Sequence, residues 1–464
     1  MSLFINEEPN FMFHPAAVFD NEVTEFTAWE GSGEIPMAGE YAGWQKENLS
    51  WKETCYLHVN LSAGMANLIV KGPDAEKLMS YMCVNSFSLD KFKIGRGKHV
   101  VACAPNGNII QHGMVLRVAE DEFHTYNLDP VVVMHCNSGR FNVEPLYPTY
   151  DQDFVFQLAG PKSLEIVENT IKEDIHDLKF MEFRPAAVLG HTVRVIRMGM
   201  GGTISYEIHG ELKDAHEIYA EIMKVGEPYG LQRLGVQTYM CNHTENGFVQ
   251  NGEHFISDWE TDPEVRDFVN QGICATFPNL TCKLNGSLAD QGRSAYYLNI
   301  LEAGWGHLIN WDHDFIGKEA LQELVKRDDN LGVVTLEWNK EDILKVFETF
   351  LDDEPGTSHY MKFPQNLKEN GNGSVGNNQD KVLDKDGNLV GKSTGRIYTI
   401  YYKKVISLGF VKPEFQKEGT ELTVLWGDAD ERQIPIRVKV ARFPYLDLTP
   451  NKDFDLETIP HFKG

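Results

Sequence analysis

The chain has 464 residues, room for about three domains at roughly 150 residues each, with 42% hydrophobic and 24% charged residues, the ordinary balance of a globular protein. Its net charge of −25, from 68 acids against 43 bases, repels phosphate backbones and anionic membrane faces and argues against a nucleic-acid or membrane partner. Seven cysteines, an odd number with no Cys-x-x-Cys pair, are expected as free thiols of a reducing cytosol.

In chain order, the opening MSLFINEEPNFMF has early acids and neither a basic nor an apolar leader region, so no signal peptide is expected. No apolar run approaches 18 residues, so no membrane span is expected. Residues 1–50 read as irregular and aromatic-rich. Alternating, β-branched CYLHVNL and ANLIVKG read as strands. KGPDAEKLMSYM turns through Gly72-Pro73-Asp74 into an amphipathic helix, with Ala75, Leu78, Met79 and Met82 on one face. KHVVACAP, NIIQHGMVLRV and EFHTYNL are three more strands, and Asn106-Gly107 marks a hairpin between the first two.

A second unit repeats the order. DFVFQLAG is a strand, GPKSLEIVENTI a helix again opened by Gly-Pro, HTVRVIRMG and SYEIHG are strands, and KDAHEIYAEIMKVGEPYG is a helix. The recurrence suggests two similar α+β lobes. From about 352 to 395 the chain turns polar and rich in Gly and Asn, a loop or linker. KVISLGFV, TELTVLWG and IPIRVKVARF then read as strands of a small barrel.

Several motifs fail on inspection. Gly199-Met200-Gly201-Gly202 lacks the third glycine of a dinucleotide fingerprint, and a strand follows it, so no helix N-terminus is there for a pyrophosphate. It reads either as a glycine-rich hairpin or as backbone lying close to a flat ligand, whose edge Glu207 would then meet. Cys241-Asn242-His243 is half of a Rieske pattern without its partner. Asp174-Ile175-His176 and Asp312-His313 do not extend into a cobalamin-type motif, no HExxH pair occurs, and no metal is expected. Ser62, Ser163 and Ser205 lack a nucleophile elbow. Asp314 stands where it would cap the helix KEALQELVKR.

Taken in order, GPDAEKLMSYM, NGNIIQHGMVLRV, LAGPKS, RMGMGGTISYEIHG, HDFIGKEAL and GNLVGKSTGRIYTIYYKKVISLGFV resemble the glycine-cleavage aminomethyltransferase superfamily over most of the chain. SWKETCYL, YMCNHTENGF, WDHDFIGKEAL, VTLEWN and TELTVLWG resemble, within it, the tetrahydrofolate-dependent aryl O-demethylases of the vanillate and syringate type. The resemblance implies an α+β, aminomethyltransferase-like folate-binding fold of two related lobes and a C-terminal β-barrel. It implies an N-terminal extension over the site at 1–50, a first lobe at 51–150, and a second at 151–350 carrying the folate-binding hairpin. A polar linker at 351–395 and the barrel at 396–464 complete the division.

The implied activity moves a methyl group from an aromatic methyl ether to N5 of tetrahydrofolate. A sulfonium or N-methyl donor, or folate binding without catalysis, stays open. The partner is a small methoxyaromatic molecule, and the oligomeric state stays open.

The family's folate-binding glutamate falls on Glu207, whose carboxylate suits paired N–H donors, and its catalytic tyrosine on Tyr239. A tyrosine's reference pKa near 10 resembles a phenol's, so proton donation to the leaving oxygen is nearly balanced; a hydrogen bond alone is the other possibility. His58 and His112 are reserve proton handlers. Gly199, Gly201, Gln111, Asn127 and Trp338 are expected at the cofactor, and Tyr41, Asn60 and Phe248 at the substrate. For Trp338, Tyr41 and both histidines plain packing is the competing expectation. The chain departs from its relatives in Gln111-His112, where aminomethyltransferases carry an aspartate, in Gln237 for an arginine, and in Leu128 for a substrate-binding arginine. The last departure implies a substrate without that carboxylate, or one held differently.

Overall fold

The computed structural model describes residues 25–29, 35–59, 61–64, 67–147, 153–270, 283–351, 358–365 and 377–464. Asn60, Cys274 and Cys282 lie outside them. None of the helices so described is long and apolar enough to cross a membrane. Cys55, Cys83, Cys103, Cys136 and Cys241 are free and buried.

The first lobe is a four-stranded antiparallel sheet in the order Leu68–Lys71, Glu122–Tyr126, Ile109–Ala119, Arg96–Cys103. Helices Ala75–Met82 and Val131–Cys136 cover one face, and Leu78, Met79 and Met82 enter the core as their helical spacing requires. The second lobe is a six-stranded sheet in the order Leu231–Arg233, Cys55–His58, Asp153–Ala159, Ser205–Glu211, His191–Ile196, Phe183–Val188. Helices Ser163–Ile171 and Ala215–Gly226 pack on it through Leu164, Val167, Ile218 and Ile222.

The strand Cys55–His58 therefore belongs to the second lobe, although its sequence position puts it before the first. It pairs His58 with Gln157 and Tyr56 with Ala159. All four of its residues are buried, the mark of a strand covered on both faces. Local alternation identifies a strand and says nothing of which sheet receives it.

The third body is a closed barrel of six strands, Asn377–Leu383, Leu389–Thr399, Lys404–Val411, Gly332–Trp338, Ile434–Ala441 and Glu421–Trp426, closed by the pairing of the first with the last. Gly332–Trp338 sits centrally, between Lys404–Val411 and Ile434–Ala441. The barrel thus begins before the polar segment that composition marks as a boundary, because its strands pair across that segment.

The N-terminal region is also more regular than its composition suggests. Glu25–Trp29 pairs with Ile35–Glu40, and Trp44–Glu53 is a helix that includes Trp51. Asp314 does not cap the helix Lys318–Leu324; Gly317 holds the N-cap at φ +85°, and Asp314 pairs with Lys318 at 3.0 Å.

Candidate active site

The helix Val236–Asn246 runs between the second lobe and the barrel and carries Tyr239, Asn242 and His243. Its start is fixed by a close approach: a Cβ on Gly235 would lie 2.0 Å from the Gly39 carbonyl oxygen, so only glycine fits. The Gly235 N–H donates to Glu47 Oε2 at 2.9 Å, and Oε1 of the same carboxylate accepts from the Tyr41 N–H at 2.6 Å. The helix is further clamped by a fully buried ion pair, Lys52 Nζ to Glu245 Oε2 at 2.6 Å, to which Trp51 Nε1 adds a bond at 3.2 Å.

Tyr239 is 5% exposed. His58 stacks on its ring, centroids 3.7 Å apart and 6° between planes, because the strand bearing His58 lies beside the strand that leads into this helix. The Nδ1 of His58 lies 2.9 Å from the Leu234 carbonyl. A carbonyl only accepts, so Nδ1 carries the proton and Nε2 is a lone pair. Burial pushes the His58 pKa down to about 3, leaving the ring neutral. Burial, then the charge of Glu207, pushes the Tyr239 pKa well up. The phenol is a donor, not a base, and a more reluctant acid than its reference pKa implies.

Glu207 faces the same place from the strand Ser205–Glu211. Its Oε1 accepts from Gln157 Nε2 at 2.8 Å, and its Oε2 meets His209 Nε2 at 2.8 Å. His209 Nδ1 reaches the Tyr126 hydroxyl at 3.0 Å. Gln157 also takes the Tyr56 hydroxyl at 2.6 Å and lies against the Tyr239 hydroxyl, while Asn242 Nδ2 donates to Tyr56 at 3.2 Å. Glu207 is thus held from two sides, with carboxylate lone pairs left over for a further donor. Gln157, His209, Tyr126 and Tyr56 escape the sequence reading. The visible signals were a glutamine inside the apolar run DFVFQLAG, and a histidine two residues after Glu207, hence on the same strand face.

A second cluster adjoins through His243, whose ring meets Tyr239 edge-on at 5.1 Å and Phe248 at 6.0 Å. Phe248 touches His99, His112 and Trp305. The Asn251 N–H donates to His112 Nε2 at 3.3 Å, so the His112 proton sits on Nδ1 and points to His99 Nε2 at 3.1 Å. Burial lowers the pKa of His99 to about 3 and of His243 to about 4, and pushes that of His112 well below its ordinary value. These walls are aromatic and uncharged.

Several expected residues are placed otherwise. Both nitrogens of His112 are engaged by protein, so it has none left to handle a proton. Gln111 is engaged within the protein, accepting from Asn251 Nδ2 at 2.8 Å and donating to the Asp129 carbonyl at 3.0 Å. Asn127, at φ +60°, donates to the His112 carbonyl and orients that strand. A Cβ on Gly199 would strike Ser205 at 2.6 Å, and one on Gly201 would strike Ala159 at 2.8 Å. Packing of protein on protein therefore explains these glycines. Trp338 lies inside the barrel, its Nε1 bonded to Ser407 and its ring against Trp426. Tyr41 packs under the Arg233 guanidinium, 5.2 Å from its ring centroid, rather than on the Tyr239 cluster. Leu128 is a core residue of the first lobe.

Known proteins give the arrangement its context. A sequence model of the GCVT N-terminal domain matches residues 22–262. A sesamin methylene transferase of Sinomonas sp. (strain No.22) is 37% identical over 436 residues, covering 92% of this chain and 94% of its own. A syringate O-demethylase of Sphingobium sp. (strain NBRC 103272 / SYK-6) is 29% identical, over 88% and 90%. The crystal structure of glycine cleavage system aminomethyltransferase T from Bartonella henselae superposes with a TM-score of 0.61 at 15% identity, covering 95% of this chain and 96% of that one. The fold is therefore that of the aminomethyltransferase T protein.

Proposed function

The chain belongs to the GCVT family, and from that membership we propose that it is a tetrahydrofolate-dependent O-demethylase. It moves the methyl group of an uncharged aromatic methyl ether to N5 of tetrahydrofolate, giving a phenol and 5-methyltetrahydrofolate. The observation that carries the reading is the buried Tyr239 hydroxyl, braced by the stacked His58 and set beside the Glu207–Gln157–His209 network.

The residues present fit the cofactor. Glu207 keeps acceptor capacity for a paired N–H edge, as an amino-pyrimidine ring offers. Nearby, Asn242 Oδ1 and Asn251 Oδ1 are buried without a protein partner, and buried polar atoms of that kind call for a ligand or water. When bound, tetrahydrofolate supplies the nitrogen that accepts the carbon. Glu207 holds the ring edge, and Gln157 and His209 fix the carboxylate. Tyr239 donates to the ether oxygen and holds a proton there as the O–CH3 electron pair stays on oxygen. The leaving phenolate forms in the same buried surroundings that raise Tyr239, so the two pKa values rise together and proton sharing remains feasible. Phe248, Trp305 and the neutral rings of His99, His112 and His243 make a wall suited to an arene without a carboxylate.

The resemblance to a sesamin methylene transferase favours one second reading, in which the carbon is the bridge of a methylenedioxy arene and both its C–O bonds are broken. Incubation with tetrahydrofolate and a panel of methoxyarenes, methylenedioxyarenes, a sulfonium and N-methyl amines, read by mass spectrometry, separates the cases. 5-Methyltetrahydrofolate with a matching phenol supports the main reading. 5,10-Methylenetetrahydrofolate with a catechol supports the second. Methyl transfer from the sulfonium or amine alone overturns the aryl ether. No product from any donor, with folate still bound, overturns catalysis.

A further inference from the structure

Far from Tyr239, the C-terminal segment folds back on the second lobe. Leu456 and Ile459 join that lobe's core, and His461 stacks on His176 with ring centroids 3.8 Å apart and 19° between planes. The histidine of Asp174-Ile175-His176, a motif that the proposed reaction leaves unused, thus acquires a partner from the chain end.

Proton placement at these rings is constrained. His176 Nε2 lies 3.1 Å from the Ile459 carbonyl, which only accepts, so Nε2 carries the proton. Its Nδ1 then faces Glu168 Oε1 at 2.9 Å and Asp174 Oδ1 at 3.4 Å. His461 Nε2 lies 3.2 Å from Glu457 Oε2, and its Nδ1 faces Asp174 Oδ2 at 2.5 Å. Both rings are pinned on one side as donors, and on the other both present Nδ1 to the Asp174 carboxylate. Lone pair would meet lone pair at each contact unless two protons or one cation fill the gap.

The geometry points to a divalent metal site, taking Zn2+ or a cation of similar chemistry, built from His176 Nδ1, His461 Nδ1 and an Asp174 carboxylate oxygen. The three ligand atoms already lie within 4.8 Å of one another. Zinc bonds of about 2.0–2.2 Å imply tetrahedral ligand separations of about 3.3 Å, and because a metal lies in the plane of each imidazole that binds it, the exposed His461 ring turns out of its stack on His176 to assemble the site. Imidazole and carboxylate are ordinary zinc ligands, with water at the fourth position. The Nε2–H bond to the Ile459 carbonyl is the outer support that zinc-binding histidines usually have, and Glu168 is a neighbouring carboxylate. The His176 side chain is 3% exposed and those of Asp174 and His461 are 40% and 50% exposed, so an ion has a way in. Spacing along the chain hid the pair, because Asp174 and His461 are 287 positions apart. The metal would tie the chain end to the second lobe.

The test uses the untagged full-length protein, stripped with chelator and dialysed against buffered micromolar Zn2+ at pH 7.5. About one zinc per chain is expected, with a higher unfolding temperature. His461→Ala and Asp174→Asn should each weaken uptake at least ~10-fold and remove the zinc-dependent rise. His359→Ala, in a separate group with Asp428 and Glu431, should leave both unchanged. Co2+ should give the visible spectrum of nitrogen and oxygen ligands. No uptake by the wild type, or uptake that survives both His461→Ala and Asp174→Asn, overturns the proposal and leaves protons as the occupants of the gap.

Discussion

Glu207 brings a carboxylate to a site otherwise lined by amides, hydroxyls and imidazoles, and its two oxygens are held by Gln157 and His209. Glu207→Gln keeps the shape and removes the charge. A charge-assisted hydrogen bond contributes about 1.5–3 kcal/mol, so calorimetry should show tetrahydrofolate binding weakened by about 10- to 150-fold. Unchanged affinity would place the folate elsewhere. His58 tests the stack instead. With a pKa near 3 it is neutral at every working pH, and His58→Phe keeps a flat ring against Tyr239 while losing the bond to Leu234. Transfer should fall less than ~10-fold in His58→Phe and much more in His58→Ala if the ring positions the phenol. Equal losses would instead make the nitrogen the working part. At this scale Tyr239 and Glu207 are expected at the site because their sequence contexts resemble a family, and the structure sets them near one another. Gln111 and His112 also occupy a family position, but there they bond protein groups, Asn251 and the Asp129 carbonyl for Gln111, the Asn251 N–H and His99 for His112.

Helix Trp44–Glu53 and helix Val236–Asn246 are joined by the buried Lys52–Glu245 pair. Burial lowers the Lys52 pKa to about 8 against the opposing pull of Glu245. Removing one partner strands a charge and typically costs about 3–5 kcal/mol, whereas an apolar pair of similar volume is often neutral. Lys52→Met should therefore lower stability to denaturant by that order, and Lys52→Met with Glu245→Leu should recover most of it. A double variant as unstable as the single one would contradict the ion-pair account. The hairpin at Asn106-Gly107 and the helices after both Gly-Pro turns follow from local chemistry and were legible. Pairing partners were not. The strand Cys55–His58 joins the second lobe and Gly332–Trp338 joins the barrel, and each is settled by pairing with strands far along the chain, Leu231–Arg233 and Asp153–Ala159 for the first, Lys404–Val411 and Ile434–Ala441 for the second.

Among the described residues, seven buried histidines, His58, His99, His112, His124, His135, His243 and His254, have pKa values pushed below the ordinary 6.5 mainly by burial. An unfolded chain takes up protons at these positions as pH falls through about 6.5, and the folded chain does so only at lower pH, about 3 for His58 and His99 and about 4 for His135 and His243. The unfolded state binds more protons in that window, so stability falls as pH falls through it, by up to about 1.4 kcal/mol per histidine per unit. Unfolding temperature should drop steadily from pH 7 to 4.5, and an unchanged midpoint would contradict the burial of these rings. The same neutrality predicts that His58, His99, His112 and His243 give no inflection in the rate above pH 5. The account as a whole rests on Tyr239 serving the transfer step without serving folate affinity. Its most direct test is single-turnover transfer by Tyr239→Phe beside wild type, using a productive donor and saturating tetrahydrofolate, with folate affinity measured on the same samples. The account predicts transfer slowed by about 100- to 1,000-fold and an affinity within about 3-fold of wild type. Transfer at the wild-type rate, with folate still bound, would contradict it.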